Sequence, residues 1–174
     1  MRSEVTRRQM LKGFAALGVA AGGAVAVEPA RRAAAQAGRA DAGRADAAVL
    51  GVHERVDDAL KRLFGTRPLK DGAGVVKLDL PLIAENGSVV PVAVDVASPM
   101  TPANYVRHIY IVADKNRIPV ITRVALTPEA GQASIGANVR LGETGDVRAI
   151  VEQSDGSLLQ VKREVKVTVS GCGG

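Results

Sequence analysis

From residue 76 onward the chain repeats apolar side chains at every second position. Val76, Leu78 and Leu80 alternate with Lys77 and Asp79, and Val90, Val92, Val94 and Val96 alternate after the turn signal Glu85-Asn86-Gly87-Ser88. This is the period of a strand with one buried face. Pro91 falls inside the second run and has no N–H for a ladder, which predicts a sheet edge or a bulge there. Residues 107–113 and 118–126 flank Asp114-Lys115-Asn116-Arg117 as a hairpin that contains a further interrupting proline, Pro119. Residues 133–141, 147–153 and 158–169 complete the series, separated by Gly142-Glu143-Thr144-Gly145-Asp146 and Ser154-Asp155-Gly156-Ser157. About seven short strands at regular intervals predict an all-β fold, an immunoglobulin-like antiparallel β-sandwich.

A different period precedes the strands. Val49, Val52, Val56, Leu60 and Leu63 recur at three- and four-residue steps among His53, Arg55, Asp57, Asp58 and Lys61. That spacing predicts one amphipathic N-terminal helix over 49–64, stopped by Gly65 and Pro68. The folded domain proper, helix plus β-sandwich, is thus expected over 49–169.

The first 35 residues read as an address. Thr6-Arg7-Arg8-Gln9-Met10-Leu11-Lys12 leads into a mildly apolar run of Ala, Gly, Val and Leu. This is the charged, apolar and small-residue order of a bacterial export signal. The pair Arg7-Arg8 resembles the twin-arginine signal, which implies a periplasmic protein, free of the membrane after cleavage. Cleavage after Ala26 or after Ala35 fits equally well. Residues 36–48, rich in Ala, Gly, Arg and Asp without apolar periodicity, read as a flexible lead-in.

Composition and charge narrow the function. Apolar residues form 47% of the 174-residue chain but aromatic ones only 2%, so the core must be built of aliphatic, largely β-branched side chains. The net charge of +5 hints at nucleic acid, yet six basic residues lie before Gln36 and the remainder is close to balanced. Near-neutrality with few stacking side chains argues against nucleic-acid binding. His53 and His108 stand apart from each other with no metal-ligand spacing, and are read as surface or satisfied residues. Asp57-Asp58 is read as a solvated helix face, and Gly142-Glu143-Thr144-Gly145 as a turn.

Chemistry is concentrated at the C-terminus. Cys172 is the single cysteine, so an exported chain cannot close an internal disulfide with it. It follows the alternating Val165, Val167 and Val169 within Ser170-Gly171-Cys172-Gly173-Gly174. Glycines on both sides free the backbone and remove bulk, which suits a segment that threads into another protein's site. Residues 170–174 are therefore expected to form a flexible arm, composed of Ser170, Gly171, Gly173 and Gly174 around the thiol. No cation or helix N-terminus is placed by the sequence to activate that thiol, so its reactions are expected to be driven by partners. Two other classes remain open at this point: a non-catalytic immunoglobulin-like interaction module and a small exported thiol oxidoreductase. The second needs a resolving cysteine or a nearby base, and neither is apparent.

The chain resembles the SoxY family, the sulfur-carrying subunits of the SoxYZ complex of bacterial thiosulfate oxidation. The likeness covers the twin-arginine leader and most of the domain. It includes Ile83-Ala84-Glu85-Asn86-Gly87, Val90-Pro91-Val92, Ser98-Pro99-Met100, the hairpin over 109–120, and the arm. The family ends Gly-Gly-Cys-Gly-Gly, whereas Ser170 stands here at the first of those places. The resemblance implies an immunoglobulin-like sandwich and a heterodimer with a SoxZ-like subunit. It implies that the protein is a carrier acted on by enzymes, with covalent sulfur adducts on Cys172 in place of any cofactor or metal. The partners implied are a c-type cytochrome, a sulfate-releasing hydrolase and, in some organisms, a sulfur dehydrogenase.

Overall fold

The computed structural model describes residues 49–170. The described chain runs α1 (Val56–Phe64), β1 (Leu69–Asp71), β2 (Val76–Asp79), β3 (Ile83–Asn86), β4 (Val90–Val96), β5 (Val106–Ala113), β6 (Val120–Ala125), β7 (Ala133–Val139), β8 (Gly145–Gln153) and β9 (Leu158–Val169). A 3-10 turn at Pro128–Ala130 links β6 to β7. The strands form two facing sheets, the immunoglobulin-like sandwich that the alternation predicts. The small sheet has the order β2-β4-β7, and the large one β1-β9-β8-β5-β6, with β3 also paired to β9.

The alternation becomes the core directly. Val90, Val92, Val94 and Val96 of β4 are buried and face Ile109, Ile111, Val147, Ala149, Val151 and Val165 of the large sheet. In β5 and β8, however, burial extends to both faces. The reason is a third layer. Phe64 of α1 packs with Tyr110, Val112, Ile150 and Leu158 on the outer face of the large sheet, where Val56, Leu60 and Leu63 join it. The Phe64 and Tyr110 rings meet edge to face, 5.1 Å apart at 84°, a geometry worth about 1 kcal/mol beyond area burial.

Four expectations need adjustment. The helix begins at Val56, not at residue 49, because Gly51 takes a left-handed φ of 77° and Arg55 is extended. The preceding stretch is instead tied down by Glu54, whose N–H donates to the Arg117 carbonyl and whose carboxylate pairs with Arg62. His53 consequently lies ahead of the helix and not on its polar side. Secondly, nine strands are present among the described residues. The two additional ones, β1 and β3, are three and four residues long and run parallel to β9 at its two ends.

Third, β4 is the middle strand of its sheet, not an edge. Pro91 is tolerated there because pairing with β2 stops at Ala93. The Ala97 N–H donates to the Val75 carbonyl on the β2 side, so by alternation the odd-numbered residues of β4, Pro91 included, turn their main chain toward β2. The missing donor thus falls where no partner strand remains. Fourth, the second hairpin arm begins at Val120, after Pro119 rather than before it. Pro119 only accepts a bond from the Ala113 N–H, at 2.9 Å.

Candidate functional site at the root of the C-terminal arm

β9 carries the chain toward its end. Among the valines that point inward, Val165 is buried, Val167 partly buried and Val169 62% exposed, so the strand leaves the sandwich as it approaches the arm. Strand structure stops at Val169, where the sequence pattern stops. Ser170 follows as an exposed residue. Gly171, Cys172, Gly173 and Gly174 of the expected arm, like Arg7 and Arg8 of the expected signal, lie outside the described residues. From Ser170, two residues of extended chain span about 7 Å.

The root itself is held from both sides. β3 pairs in parallel with the end of β9, Ile83 opposite Lys166, Ala84 opposite Val167 and Asn86 opposite Val169. The Lys166 N–H donates to the Leu82 carbonyl at 3.0 Å, and the Gly87 N–H to the Val169 carbonyl at 2.8 Å. Thr168 sends its hydroxyl to the Glu85 carbonyl at 2.9 Å. On the other side the β7–β8 loop closes in. The Val167 N–H donates to Thr144 Oγ1 at 2.9 Å, and the Ser170 hydroxyl donates to the Gly142 carbonyl.

That loop is in turn fixed by a buried amide. Asn116, in the β5–β6 loop, donates from Nδ2 to the Arg140 carbonyl at 2.7 Å and accepts from the Gly142 N–H at 3.0 Å. The Leu141 N–H reaches the Gly87 carbonyl at 2.7 Å, joining the two clamps. A rigid collar therefore surrounds β9 up to Ser170. Neither Asn116 nor Thr144 was legible as an organiser, because both sit in stretches that read simply as turns.

A second polar cluster lies at the opposite end of the large sheet. Glu152 Oε1 accepts from Arg67 at 2.8 Å. His108 accepts at Nε2 from Arg123, 2.7 Å away, so its Nδ1 proton is donated to Glu152 Oε2 at 3.0 Å. The Tyr110 hydroxyl points at the same oxygen from 3.4 Å. Burial opposes ionisation of Glu152, but the bonds from Arg67 and His108 outweigh it and hold the carboxyl below its ordinary range. Burial, reinforced by the charge of Glu152, pushes Tyr110 up to about 12. His108 is thus a satisfied side chain, as its isolation suggests, and this cluster fastens the α1 layer to the sheet. Among the described residues no group of three His, Cys, Asp or Glu side chains converges on a metal position.

Fold and site together define a small β-sandwich whose last described strand is gripped on both sides as far as Ser170. The family model of the sulfur oxidation protein SoxY matches residues 60–172, ending on Cys172. The chain belongs to the SoxY family. Its structure is similar to that of the sulfur carrier protein SoxY from Chlorobium limicola f thiosulfatophilum, with 29% identity and a TM-score of 0.55 over 66% of this chain and 97% of that one. A superoxide reductase (neelaredoxin) from Ignicoccus hospitalis is more distant, with 22% identity and a TM-score of 0.48 over 53% of this chain and 80% of that one. No curated protein matches the chain.

Proposed function

We propose that this protein is a periplasmic carrier of sulfur, holding thiosulfate-derived intermediates covalently on Cys172 and presenting them to enzymes of thiosulfate oxidation. Supporting the reading most directly is the family match, which runs through the domain and ends on Cys172. The likeness to a solved sulfur carrier points the same way. The collar that ends at Ser170 suits the task, because a partner needs a firm body to dock on and a slender tail to receive.

The chemistry requires no catalytic side chain from this protein. Oxidative coupling of the Cys172 thiolate with thiosulfate forms a sulfur–sulfur bond, giving a cysteine S-thiosulfonate, and releases two electrons to a c-type cytochrome. Attack of water on the terminal sulfonate sulfur then releases sulfate and two protons. A persulfide is left on Cys172. The remaining sulfur is oxidised further, by a sulfur dehydrogenase where one is present, or passed on. Tethering keeps each intermediate at high effective concentration for the next enzyme. In this reading a SoxZ-like subunit accompanies the protein as a heterodimer, and the twin-arginine leader with Arg7 and Arg8 exports it.

Intact mass measurement of the protein from cells oxidising thiosulfate tests the assignment. Sulfur-bearing adducts that reductant removes are expected, and Cys172→Ala is expected to abolish turnover while sparing subunit association. A chain carrying only free thiol throughout turnover, or a Cys172→Ala protein that still supports it, would defeat the proposal.

A further inference from the structure

Glu85-Asn86-Gly87-Ser88 supplies one wall of the collar, and the carrier role makes no use of its chemistry. Asn86 is the one asparagine of the chain that precedes a glycine, since Asn104, Asn116 and Asn138 precede Tyr105, Arg117 and Val139. That order matters covalently. Glycine has no side chain to shield its nitrogen or to restrict its approach. In a free Asn-Gly segment the glycine nitrogen attacks the asparagine Cγ, and the new carbon–nitrogen bond closes a five-membered imide. The side-chain amide departs as ammonia, taking the proton that the glycine nitrogen gives up. Water then opens either carbonyl of the ring. The product is aspartate, or isoaspartate, in which the main chain runs through Cβ and Cγ.

In the folded chain each participant is held back from this reaction. The Gly87 N–H donates to the Val169 carbonyl at 2.8 Å, so the nucleophile is engaged and keeps its proton. Gly87 is buried, and its carbonyl accepts from the Leu141 N–H at 2.7 Å. The Asn86 amide is fixed as well, because its Oδ1 accepts from the Ser88 N–H at 2.8 Å. Ring closure needs the Asn86 main chain to turn out of the strand conformation, which its pairing opposite Val169 prevents. Asn86 itself is exposed, so water is at hand for the second step. What restrains the first is the grip of β3 on the end of β9.

We propose that Asn86 is a modification site gated by the root of the arm, converted to isoaspartate or aspartate only when the end of β9 parts from β3. Formation of isoaspartate then holds the root open. The extra main-chain carbon shifts Gly87 out of register with Val169, and the new carboxylate places a second negative charge beside Glu85. Because the change is one-way, it records that the root has opened and retires that copy of the protein. The inference is independent of the chemistry assigned to Cys172.

The exported chain, held at mildly alkaline pH and mapped by peptide mass with separation of the aspartyl and isoaspartyl forms, provides the test. Conversion at Asn86 is expected to be at least about tenfold slower in the folded chain than in the same chain held in denaturant. It should be slowed by the same factor that protects the Gly87 amide from hydrogen exchange, since both wait for one opening. This comparison needs no variant. Thr168→Val removes the hydroxyl that donates to the Glu85 carbonyl and is expected to speed both processes about fivefold. In the isolated isoaspartyl form the Lys166 amide, which donates to the Leu82 carbonyl, should exchange faster. Asn86→Asp adds the charge without lengthening the main chain and should leave that amide protected. Equal rates in the folded and denatured chains, or a restraint at Asn86 that follows global unfolding and not the Gly87 amide, would overturn the proposal. So would a Thr168→Val protein in which exchange quickens and conversion does not, or an isoaspartyl form whose Lys166 amide is unchanged.

Discussion

At 8% exposure, Glu152 keeps a negative charge beneath the α1 layer, where Arg67, His108 and Tyr110 all direct polar hydrogens at it. Removing the carboxylate leaves these groups without their acceptor. Glu152→Ala is therefore expected to cost about 3 kcal/mol, the usual scale for breaking a buried charge pair, measured by denaturant unfolding. Its pH dependence has a definite sign. The folded-state pKa is depressed below 4.5, so the contribution is fully present above that unfolded value and disappears as pH falls through the lower folded one. Melting temperature recorded from neutral pH down into the acid range should show this loss, and Glu152→Gln should flatten that limb of the curve. Of this cluster only His108 stood out in the sequence, and only as an isolated histidine. Four chain segments contribute to the cluster, and only the sheet register makes them neighbours.

Among the elements, β9 unites most of the molecule, bonded by β8 along one side and by β1 and β3 at the two ends of the other. Its terminal grip depends on individual groups. Thr144→Val removes the oxygen that accepts from the Val167 N–H, a bond worth about 1 kcal/mol. The exchange of that amide, followed by NMR, is expected to quicken by about fivefold, with little change at Val165 in the core. The valine alternation of β4 and β9 disclosed the sandwich because strands with one buried face print their period on the chain. β1 and β3 left no such print. They are too short to show an alternation, and Glu85-Asn86 reads as the opening of a turn when it is the end of a strand. The helix was overextended for a related reason, since an apolar spacing continued past Gly51 while the backbone did not. The collar was not legible, as it consists of main-chain groups met by Asn116, Thr144 and Ser170.

Across the described residues the order is small sheet, large sheet, helix, and burial extends to both faces of the middle layer in β5 and β8. Stability should respond accordingly. Phe64→Ala strips the ring that meets Tyr110 and is expected to cost about 4 kcal/mol, lowering the melting temperature by about 10–20 °C. Far-ultraviolet circular dichroism should still report the strands below that temperature. The arrangement also determines how the body withstands a tug. Under the proposed carrier role, a partner that releases the residues beyond Ser170 would put tension along the axis of β9, at right angles to the bonds that join it to its neighbours. Those bonds must then yield together and not one after another, as they would in a peeled hairpin. A strand paired in this way resists a pull along its own axis better than a hairpin resists peeling.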